Sequence, residues 1–210
     1  MIGLRTKHFL RRGPAAGSRV YLTFDDGPDP EWTPRILDLL AEANVRATFF
    51  VVGRRARELG ALLRRVSGAG HQVGNHSFGH RHPWLVSPSV ARSEVRGGAD
   101  AIADVLGQAP HFYRPPHGRL RRCAIDEAQR CGESVVLWSR SAVDWGPLGR
   151  SQAIAARLRE TEAGDIVLMH DGRGGINRPD ALCRVLPEFL ASVCARGLAP
   201  APLPEMAAAA

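Results

Sequence analysis

Two adjacent carboxylates follow the first strongly apolar segment of the sequence. Apolar and polar residues alternate over residues 20–24, and the segment ends at Asp25 and Asp26, just before Gly27-Pro28. The alternation predicts a strand, and Gly-Pro predicts the turn that ends it. Adjacent side chains on an extended chain point in opposite directions, so one carboxylate could bind a metal while the other acts as a general base. For the tripeptide alone, a solvated Asp-Asp-Gly turn is the alternative interpretation.

Two histidines four residues apart, His76 and His80, could share one metal ion. In a helical turn this spacing places both imidazoles on the same face. With Asp26 they supply two imidazoles and one carboxylate, which leaves positions open for water and substrate, as in catalytic zinc sites. His71 and His82 lack this spacing, and we interpret them as solvated or as outer neighbours of the site. A pair of surface or core-capping histidines is the alternative.

Three further polar segments could complete a catalytic site: Arg114-Pro-Pro-His-Gly118, Asp144-Trp145 and Leu168-Met-His-Asp171. The prolines and the glycine of the first predict a rigid turn that could aim a backbone N–H at a developing oxyanion. Arg114 could pair with a carboxylate and hold it ionised. His170 follows an apolar strand, and beside a carboxylate it could act as a general acid near neutral pH. A plain loop with a surface arginine and a hydrogen-bonded core histidine are the alternatives.

Short β-rich segments alternate with helical segments along the whole chain. Thr33-Pro34 predicts a helix start with Thr33 as the N-cap, and residues 54–66 predict one continuous helix. The alternation is typical of βα units with parallel strands. We therefore predict an α/β fold, a distorted or incomplete (β/α) barrel with about seven parallel strands in a single domain. An open doubly wound sheet is the alternative.

The predicted barrel domain covers residues 20–204, after an N-terminal extension at 1–19 and before a tail at 205–210. The polar candidates Asp25, Asp26, His76, Arg114, Asp144 and His170 all fall at predicted strand ends. In (β/α) barrels the active site lies at the carboxyl ends of the strands. The pattern therefore predicts one site assembled from distant parts of the chain.

Length and charge narrow the class of protein. The chain of 210 residues is long enough for one domain core and short for two. Its net charge is +7, but the arginines are scattered in pairs, so the charge does not indicate a nucleic-acid partner. The sequence shows neither the run of about 20 apolar residues of a membrane helix nor the apolar run of a signal peptide. We expect a cytoplasmic protein without a membrane span.

The four cysteines form no Cys-x-x-Cys pair; they are Cys123, Cys131, Cys183 and Cys194. In a reducing cytosol we expect them to be free thiols that pack as small buried apolar groups. A disulfide framework or a zinc knuckle is the alternative interpretation.

Taken in order, the five motifs resemble those of the polysaccharide deacetylases of carbohydrate esterase family four, the nodulation-type deacetylase homology domain. They are Thr23-Phe-Asp-Asp-Gly-Pro28, His76-Ser-Phe-Gly-His80, Arg114-Pro-Pro-His-Gly118, Asp144-Trp145 and Leu168-Met-His-Asp171. The resemblance spans about residues 20–203, and the first two motifs together are highly specific. In length and in the lack of a signal, the chain is most similar to the rhizobial chitooligosaccharide deacetylases.

The resemblance implies metal-assisted hydrolysis of an N-acetyl group on an amino sugar. It implies that Asp25 is the general base, paired with Arg114, and that His170 is the general acid, tuned by Asp144. It implies one divalent metal, zinc in the first place, with cobalt, nickel or manganese as alternatives, held by Asp26, His76 and His80. It also implies a backbone N–H near His117 that stabilises the oxyanion, and an acetyl pocket lined by Trp145 and Leu168.

Two departures from the family pattern concern the substrate more than the reaction. His117 stands where the family usually has Tyr or Phe, and Ser141 stands where its fourth motif often has Asp. The alternatives that stay open are a deacylase of the same fold acting on another sugar ester or a cyclic amide, and a sugar-binding protein with weakened catalysis. A third alternative, an iron oxygenase with two histidines and one carboxylate, would need neither Asp25 nor His170.

Overall fold

The computed structural model describes residues 9–14 and 17–204. Its nine strands are β1 (Phe9–Leu10), β2 (Arg19–Asp25), β3 (Thr48–Val51), β4 (Gln72–Asn75), β5 (Phe112–Tyr113), β6 (Ser134–Val136), β7 (Arg140–Ser141), β8 (Ile166–His170) and β9 (Ala199–Ala201). The seven α-helices are α1 (Trp32–Glu42), α2 (Gly53–Glu58), α3 (Gly60–Gly68), α4 (Pro88–Leu106), α5 (Arg122–Arg130), α6 (Ser151–Arg159) and α7 (Pro179–Ala195). Short 3₁₀ turns follow β5 and β7, at Pro116–Gly118 and Gly146–Leu148.

The strands form one sheet in the order β1-β6-β5-β4-β3-β2-β8-β7, and β9 pairs with the start of β2. All the pairings between these strands are parallel. Together with its helices this sheet is a curled, incomplete (β/α) barrel, which confirms the predicted fold class. The described residues hold nine strands rather than about seven, because the two-residue strands β1 and β7 have no hydrophobic pattern long enough to predict them.

The two faces of β2 enter different parts of the core. Val20, Leu22 and Phe24 pack with residues of α1 and α7 in the main hydrophobic cluster. Tyr21 points to the opposite face, where its cluster consists of strand residues and the buried Leu203. Because both faces are covered, every residue of β2 after Arg19 is buried. The strand that ends at Asp25 is therefore held by packing on both of its faces.

Two helix predictions were wrong in detail. The segment predicted as one helix over 54–66 is divided into α2 and α3, because Leu59 leaves helical geometry with φ −118° and ψ 39°. The helix predicted to start with Thr33 as its cap begins at Trp32. There the Asp29 carboxylate accepts the backbone N–H groups of Glu31 and Trp32, while the Thr33 hydroxyl donates to Asp171 at 2.5 Å.

The cysteine prediction was correct in chemistry and wrong in burial. All four thiols are free. Cys123, Cys131 and Cys183 are half-buried and Cys194 is exposed, so they do not act as fully buried core groups.

One further prediction concerns membrane helices. No helix among residues 9–14 and 17–204 is long and apolar enough to cross a membrane.

Another prediction concerns the limits of the domain. Phe9–Leu10, assigned to an N-terminal extension, pairs with β6 at the edge of the sheet. The remainder of that extension up to residue 8 and the tail at 205–210 lie outside the described residues, so the domain boundaries stay predictions.

Candidate active site and metal centre

The carboxyl ends of four strands of the sheet, β5, β4, β2 and β8, bring the candidate residues together. Asp25 ends β2, and its register partner on β8 is His170. His76 directly follows β4, and Arg114 directly follows β5. Because parallel strands end at the same edge of the sheet, residues separated by up to 145 positions meet there.

Asp26, His76 and His80 form a group whose candidate ligand atoms all lie within 4.8 Å of one another. Asp26 Oδ1 lies 3.4 Å from Nε2 of His76 and 3.0 Å from Nε2 of His80. His76 Nδ1 lies 2.8 Å from the carbonyl oxygen of Arg114. A carbonyl can only accept, so Nδ1 carries the proton and the Nε2 lone pair faces Asp26.

This donor set fits a divalent cation. Asp26 Oδ1 is buried and accepts no hydrogen bond from any group in the part of the chain that the structure describes. Burial alone would lower the pKa of His76, but the nearby Asp25 and Asp26 carboxylates outweigh it and raise that pKa. The Asp25 and Asp26 carboxylates therefore place negative charge next to the imidazoles, where a cation would be favoured. Two imidazoles and one carboxylate are the ligands of an open catalytic zinc site.

The two histidines converge through a loop and not through the helical turn that their spacing suggested. Ser77 and His80 have positive φ values of 66° and 55°. Asn75 Oδ1 accepts the N–H of Ser77 at 2.9 Å, and Ser77 Oγ accepts the N–H of His80 at 3.0 Å. Glu94 of α4 accepts the N–H of Gly79 at 2.7 Å. Short polar side chains therefore fix a turn that a helical pattern would not predict.

Asp25 is paired with a fully buried arginine. Arg114 Nη1 donates to Asp25 Oδ1 at 2.7 Å and to the Thr23 hydroxyl at 2.8 Å, and Nη2 donates to the Leu137 carbonyl at 3.0 Å. The guanidinium lies over the Phe50 ring, 4.1 Å from its centroid. These contacts fix the carboxylate of Asp25 in place next to the metal-ligand candidates.

His170 is held by both oxygens of the buried Asp144. Its Nδ1 lies 2.8 Å from Asp144 Oδ1, and its backbone N–H donates to Oδ2 at 2.8 Å. Burial opposes protonation of the imidazole, but the Asp144 carboxylate outweighs burial and raises the pKa of His170 to about 9. A histidine that stays protonated at neutral pH, with Nε2 free, can donate a proton to a leaving group.

A cavity of about 580 Å³ joins these groups. It is lined by Asp25, Asp26, His76, His80, His117, Trp145, Leu168 and His170, among others. Arg114 and Asp144 do not line the cavity, and each contacts a lining residue from behind it. The structure thus brings all ten predicted residues to one place, eight on the cavity wall and two beneath it.

Of the two extra histidines, His71 differs from the sequence interpretation, whereas His82 agrees with it as an outer neighbour of the site. His71 is buried, and its Nδ1 accepts the N–H of Ala47 at 3.1 Å. Burial, with the Arg46 charge adding to it, lowers the pKa of His71 to about 4, so it is a neutral core residue and not a solvated one. His82 stacks on the His117 ring at 5.1 Å, and His117 meets the edge of His80 at 4.8 Å.

Sequence reasoning missed several residues of the cavity wall. Trp138, Arg55, Ile176 and Asn177 contribute to it. Asn177 lies in a loop after the fifth motif, where glycines predict a turn and no spacing marks a polar residue as functional. Its contact with Asp26 at 2.6 Å depends on how that loop returns to β2.

Several known proteins that resemble this chain in sequence are named as deacetylases. Residues 12–136 match the family model described as polysaccharide deacetylase. A peptidoglycan-N-acetylglucosamine deacetylase of Bacillus cereus is 34% identical over 84% of this chain, and the chain spans about two thirds of that relative's length, 65%. A chitooligosaccharide deacetylase of Bradyrhizobium sp. is 34% identical over 92% of this chain and 93% of the relative.

A solved structure of a deacetylase has the same fold. The crystal structure of a peptidoglycan N-acetylglucosamine deacetylase, in complex with 4-naphthalen-1-yl-N-oxidanyl-benzamide, superposes with a TM-score of 0.88 at 30% identity. It covers 95% of this chain and 92% of the other. The match includes α6, β8 and α7, which lie beyond the part matched by the family model.

Proposed function

We propose that this chain, which belongs to the polysaccharide deacetylase family, is a metal-dependent hydrolase that removes N-acetyl groups from oligo- or polysaccharides containing N-acetylglucosamine and releases acetate. One observation carries the proposal. The Asp26, His76 and His80 group shares one cavity with Asp25 and His170, and these two are paired from behind the cavity wall with Arg114 and Asp144.

Asp26, His76 and His80 are the residues that would hold the metal. When bound, a divalent metal supplies a Lewis acid that polarises the acetyl carbonyl and makes water a better nucleophile at neutral pH. Zinc suits a site with two imidazoles, one carboxylate and open positions, and cobalt, nickel and manganese are the alternatives.

Asp25 and His170 would move the protons. Asp25, ion-paired to Arg114 and next to a metal ligand in the chain, would take a proton from the attacking water. His170, held protonated by Asp144, would give its Nε2 proton to the departing amine nitrogen. Because each group is fixed by its own partner, the candidate base and the candidate acid are oriented independently of each other.

The remaining wall residues would bind the acetyl group. Trp145 and Leu168 would enclose its methyl group, with Trp145 meeting the edge of the His170 ring at 5.3 Å. The backbone N–H near His117 would donate to the oxyanion that develops on the carbonyl oxygen. His117 has a positive φ of 58°, in a short turn anchored by the two prolines before it.

A panel of acetylated glycans tests the proposal. Zinc-loaded protein is incubated with N-acetylglucosamine oligomers, peptidoglycan fragments and acetyl-xylan, and the products are identified by mass spectrometry. We expect loss of acetyl groups from the first two with formation of free amines. The Asp25→Asn variant, which keeps the three metal-ligand residues, is the control for contaminating activity.

Other outcomes would favour the alternative functions. Release from acetyl-xylan alone would make the chain a sugar esterase, and binding without acetate release would make it a sugar-binding protein. The cytoplasmic location stays a prediction from the sequence.

A further inference from the structure

We propose that Asn177 is a positioning residue for the metal centre. Its side chain holds the Asp26 carboxylate so that Oδ1, and not Oδ2, faces the two imidazoles. The inference rests on the metal site of the proposed function and adds a residue that no sequence motif marks. Its evidence is the unequal use of the two carboxylate oxygens of Asp26.

The two oxygens of Asp26 have different neighbours. Oδ1 lies between Nε2 of His80 at 3.0 Å and Nε2 of His76 at 3.4 Å, and it accepts no hydrogen bond from the described residues. Oδ2 accepts from the Asn177 side-chain amide at 2.6 Å. An amide nitrogen can only donate, so it fixes Oδ2 as the occupied oxygen and leaves Oδ1 available as the single ligand atom.

The Asn177 amide has no freedom to turn away. Its Nδ2 carries two hydrogens, and two acceptors are in reach, Asp26 Oδ2 and the carbonyl oxygen of Gly172 at 3.0 Å. Both donors are therefore used within the same loop and strand end. Gly172 itself packs so closely on Asp26 that a Cβ there would overlap the Asp26 backbone.

The backbone of the loop is tied to the segment on the acid side of the cavity. Asn177 forms an antiparallel bridge with Trp145. The N–H of Gly146 donates to the carbonyl of Ile176 at 2.8 Å, and the N–H of Arg178 donates to the backbone carbonyl of Asp144 at 2.8 Å. Asn177 therefore reaches Asp26 from a platform that also carries Asp144, the partner of His170. This platform sets the position of the amide independently of the metal ligands.

Holding one oxygen matters because Asp26 follows the strand in an uncommon conformation. Its φ is 75°, in the left-handed region, so the end of β2 alone does not determine how the carboxylate is rotated. Outer partners that orient metal ligands typically contribute about 10–100-fold to metal affinity. We expect the same range for Asn177.

Zinc affinity of the metal-free protein tests the inference without any substrate. Zinc is titrated against a chromophoric chelator in the parent protein, Asn177→Ala and the control Leu148→Ala, at a residue that is 60% exposed and does not line the cavity. We expect Asn177→Ala to bind zinc about 10–100-fold more weakly and the control to match the parent. Cobalt-loaded Asn177→Ala should also show a changed visible spectrum, because both oxygens of Asp26 can then reach the metal.

Unchanged affinity together with an unchanged cobalt spectrum in folded Asn177→Ala would overturn the inference and leave Asn177 with a role in the loop alone. If that variant does not fold, Asn177→Ser replaces it, since its shorter hydroxyl cannot span the distance to Oδ2, and the same two results decide. A parent that binds no zinc would instead reject the proposed metal site. A parent that binds zinc but releases no acetate would reject the proposed reaction and leave this test valid.

Discussion

At the scale of single residues, two similar ionic pairs are used in opposite ways. Arg114 contacts the carboxylate of the candidate base Asp25 at 2.7 Å and fixes it in place, whereas Asp144 contacts the candidate acid His170 at 2.8 Å and favours the positive form of its imidazole. Both partners are fully buried, so their charges are little screened by solvent. The site can therefore present a base and an acid together across one cavity.

The first prediction is a shift of the alkaline limb of the pH–rate profile. His170 must be protonated to donate, so the rate should fall as pH rises through its pKa, which Asp144, with smaller contributions from Asp26 and Asp25, raises from 6.5 to about 9. In Asp144→Asn the largest raising contribution is lost while burial still opposes protonation, so the limb should move to lower pH. Acetate release measured across pH in both proteins checks this.

Removal of the His170 side chain measures how much the proton donor contributes to the rate. His170→Ala should lower kcat by about 10²–10⁴-fold while its zinc content stays that of the parent. A His170→Ala protein that keeps a near-normal rate and the parent's alkaline limb would make His170 a core histidine and contradict the assignment.

The sequence was sufficient to find residues whose neighbours in the chain already suggest chemistry. Asp25, Asp26, His76, His80 and His170 were each marked by a carboxylate pair, a histidine spacing or a strand end. Thr33 and Asn177 were misassigned or missed because their partners, Asp171 and Asp26, lie 138 and 151 positions away. The tertiary fold, and not the local sequence, decides which polar groups Thr33 and Asn177 contact.

At the scale of elements, α4 supports the loop that carries the two histidines. Val95 accepts from the Asn75 side chain at 2.9 Å through its carbonyl, and Glu94 accepts from Gly79. Gly98 of the same helix lies against Asn75, where a Cβ would overlap Oδ1 and come within 2.8 Å of the Ser77 backbone. The helix can approach this closely because residue 98 has no side chain.

The second prediction compares two neighbouring glycines of α4. Gly98→Ala should displace the loop, cost about 1–3 kcal/mol of unfolding free energy and weaken zinc binding by about 10-fold or more. Gly97→Ala is the matched control, because its Cβ would lie 3.4 Å from Phe78 in ordinary contact. It should bind zinc like the parent and be unchanged or up to about 1 kcal/mol more stable, since alanine favours the helix.

Urea unfolding and chelator competition measure these two effects. Equal zinc affinities in the two variants would show that the loop does not depend on its packing against α4.

The elements that the sequence predicted well are those with local signals. Helix α4 carries such signals, with Ser87 as its cap, Pro88 in its first turn and Gly107 at φ 73° after its end. The break between α2 and α3 was missed because residues 54–66 keep one apolar pattern through Leu59. The loop from His76 to His80 was misread because i and i+4 spacing is also produced by a turn that side chains cap.

At the scale of the whole molecule, the C-terminal segment closes the core on the inner face of the sheet. Leu203 is buried with Tyr21, Phe50, Phe112 and Ile166, and its N–H donates to the Thr48 hydroxyl at 3.0 Å. Strand β9 pairs with the start of β2, below the strand end that carries Asp25 and Asp26. The last described residues therefore stabilise the strand that bears the site.

The third prediction is that Leu203→Ala is strongly destabilising although it lies outside the catalytic motifs. A large-to-small change in a buried cluster should lower the unfolding free energy by about 2–5 kcal/mol. Leu148→Ala is the control, because Leu148 is 60% exposed and should change stability by about 0.5 kcal/mol or less. Denaturant unfolding of both variants checks this, and equal stabilities would show that the C-terminal segment contributes nothing to the core.

The two halves of the site have different support from known proteins. The family match over residues 12–136 includes Asp25, Asp26, His76, His80 and Arg114, and it ends before Asp144 and His170. His170 ends β8, and the register of β8 on β2 places it beside Asp25. The account as a whole therefore depends on both halves acting on one substrate with one metal.

Zinc titration of acetate release tests that dependence most directly. Metal-free protein is titrated with zinc in the presence of an N-acetylglucosamine oligomer, with Asp26→Ala as the paired variant. We predict that the rate rises from zero to a plateau at one zinc per chain, that free amine forms in step with acetate, and that Asp26→Ala gives no such rise. Acetate release that is independent of zinc, or that Asp26→Ala retains at the parent's rate, would contradict the account.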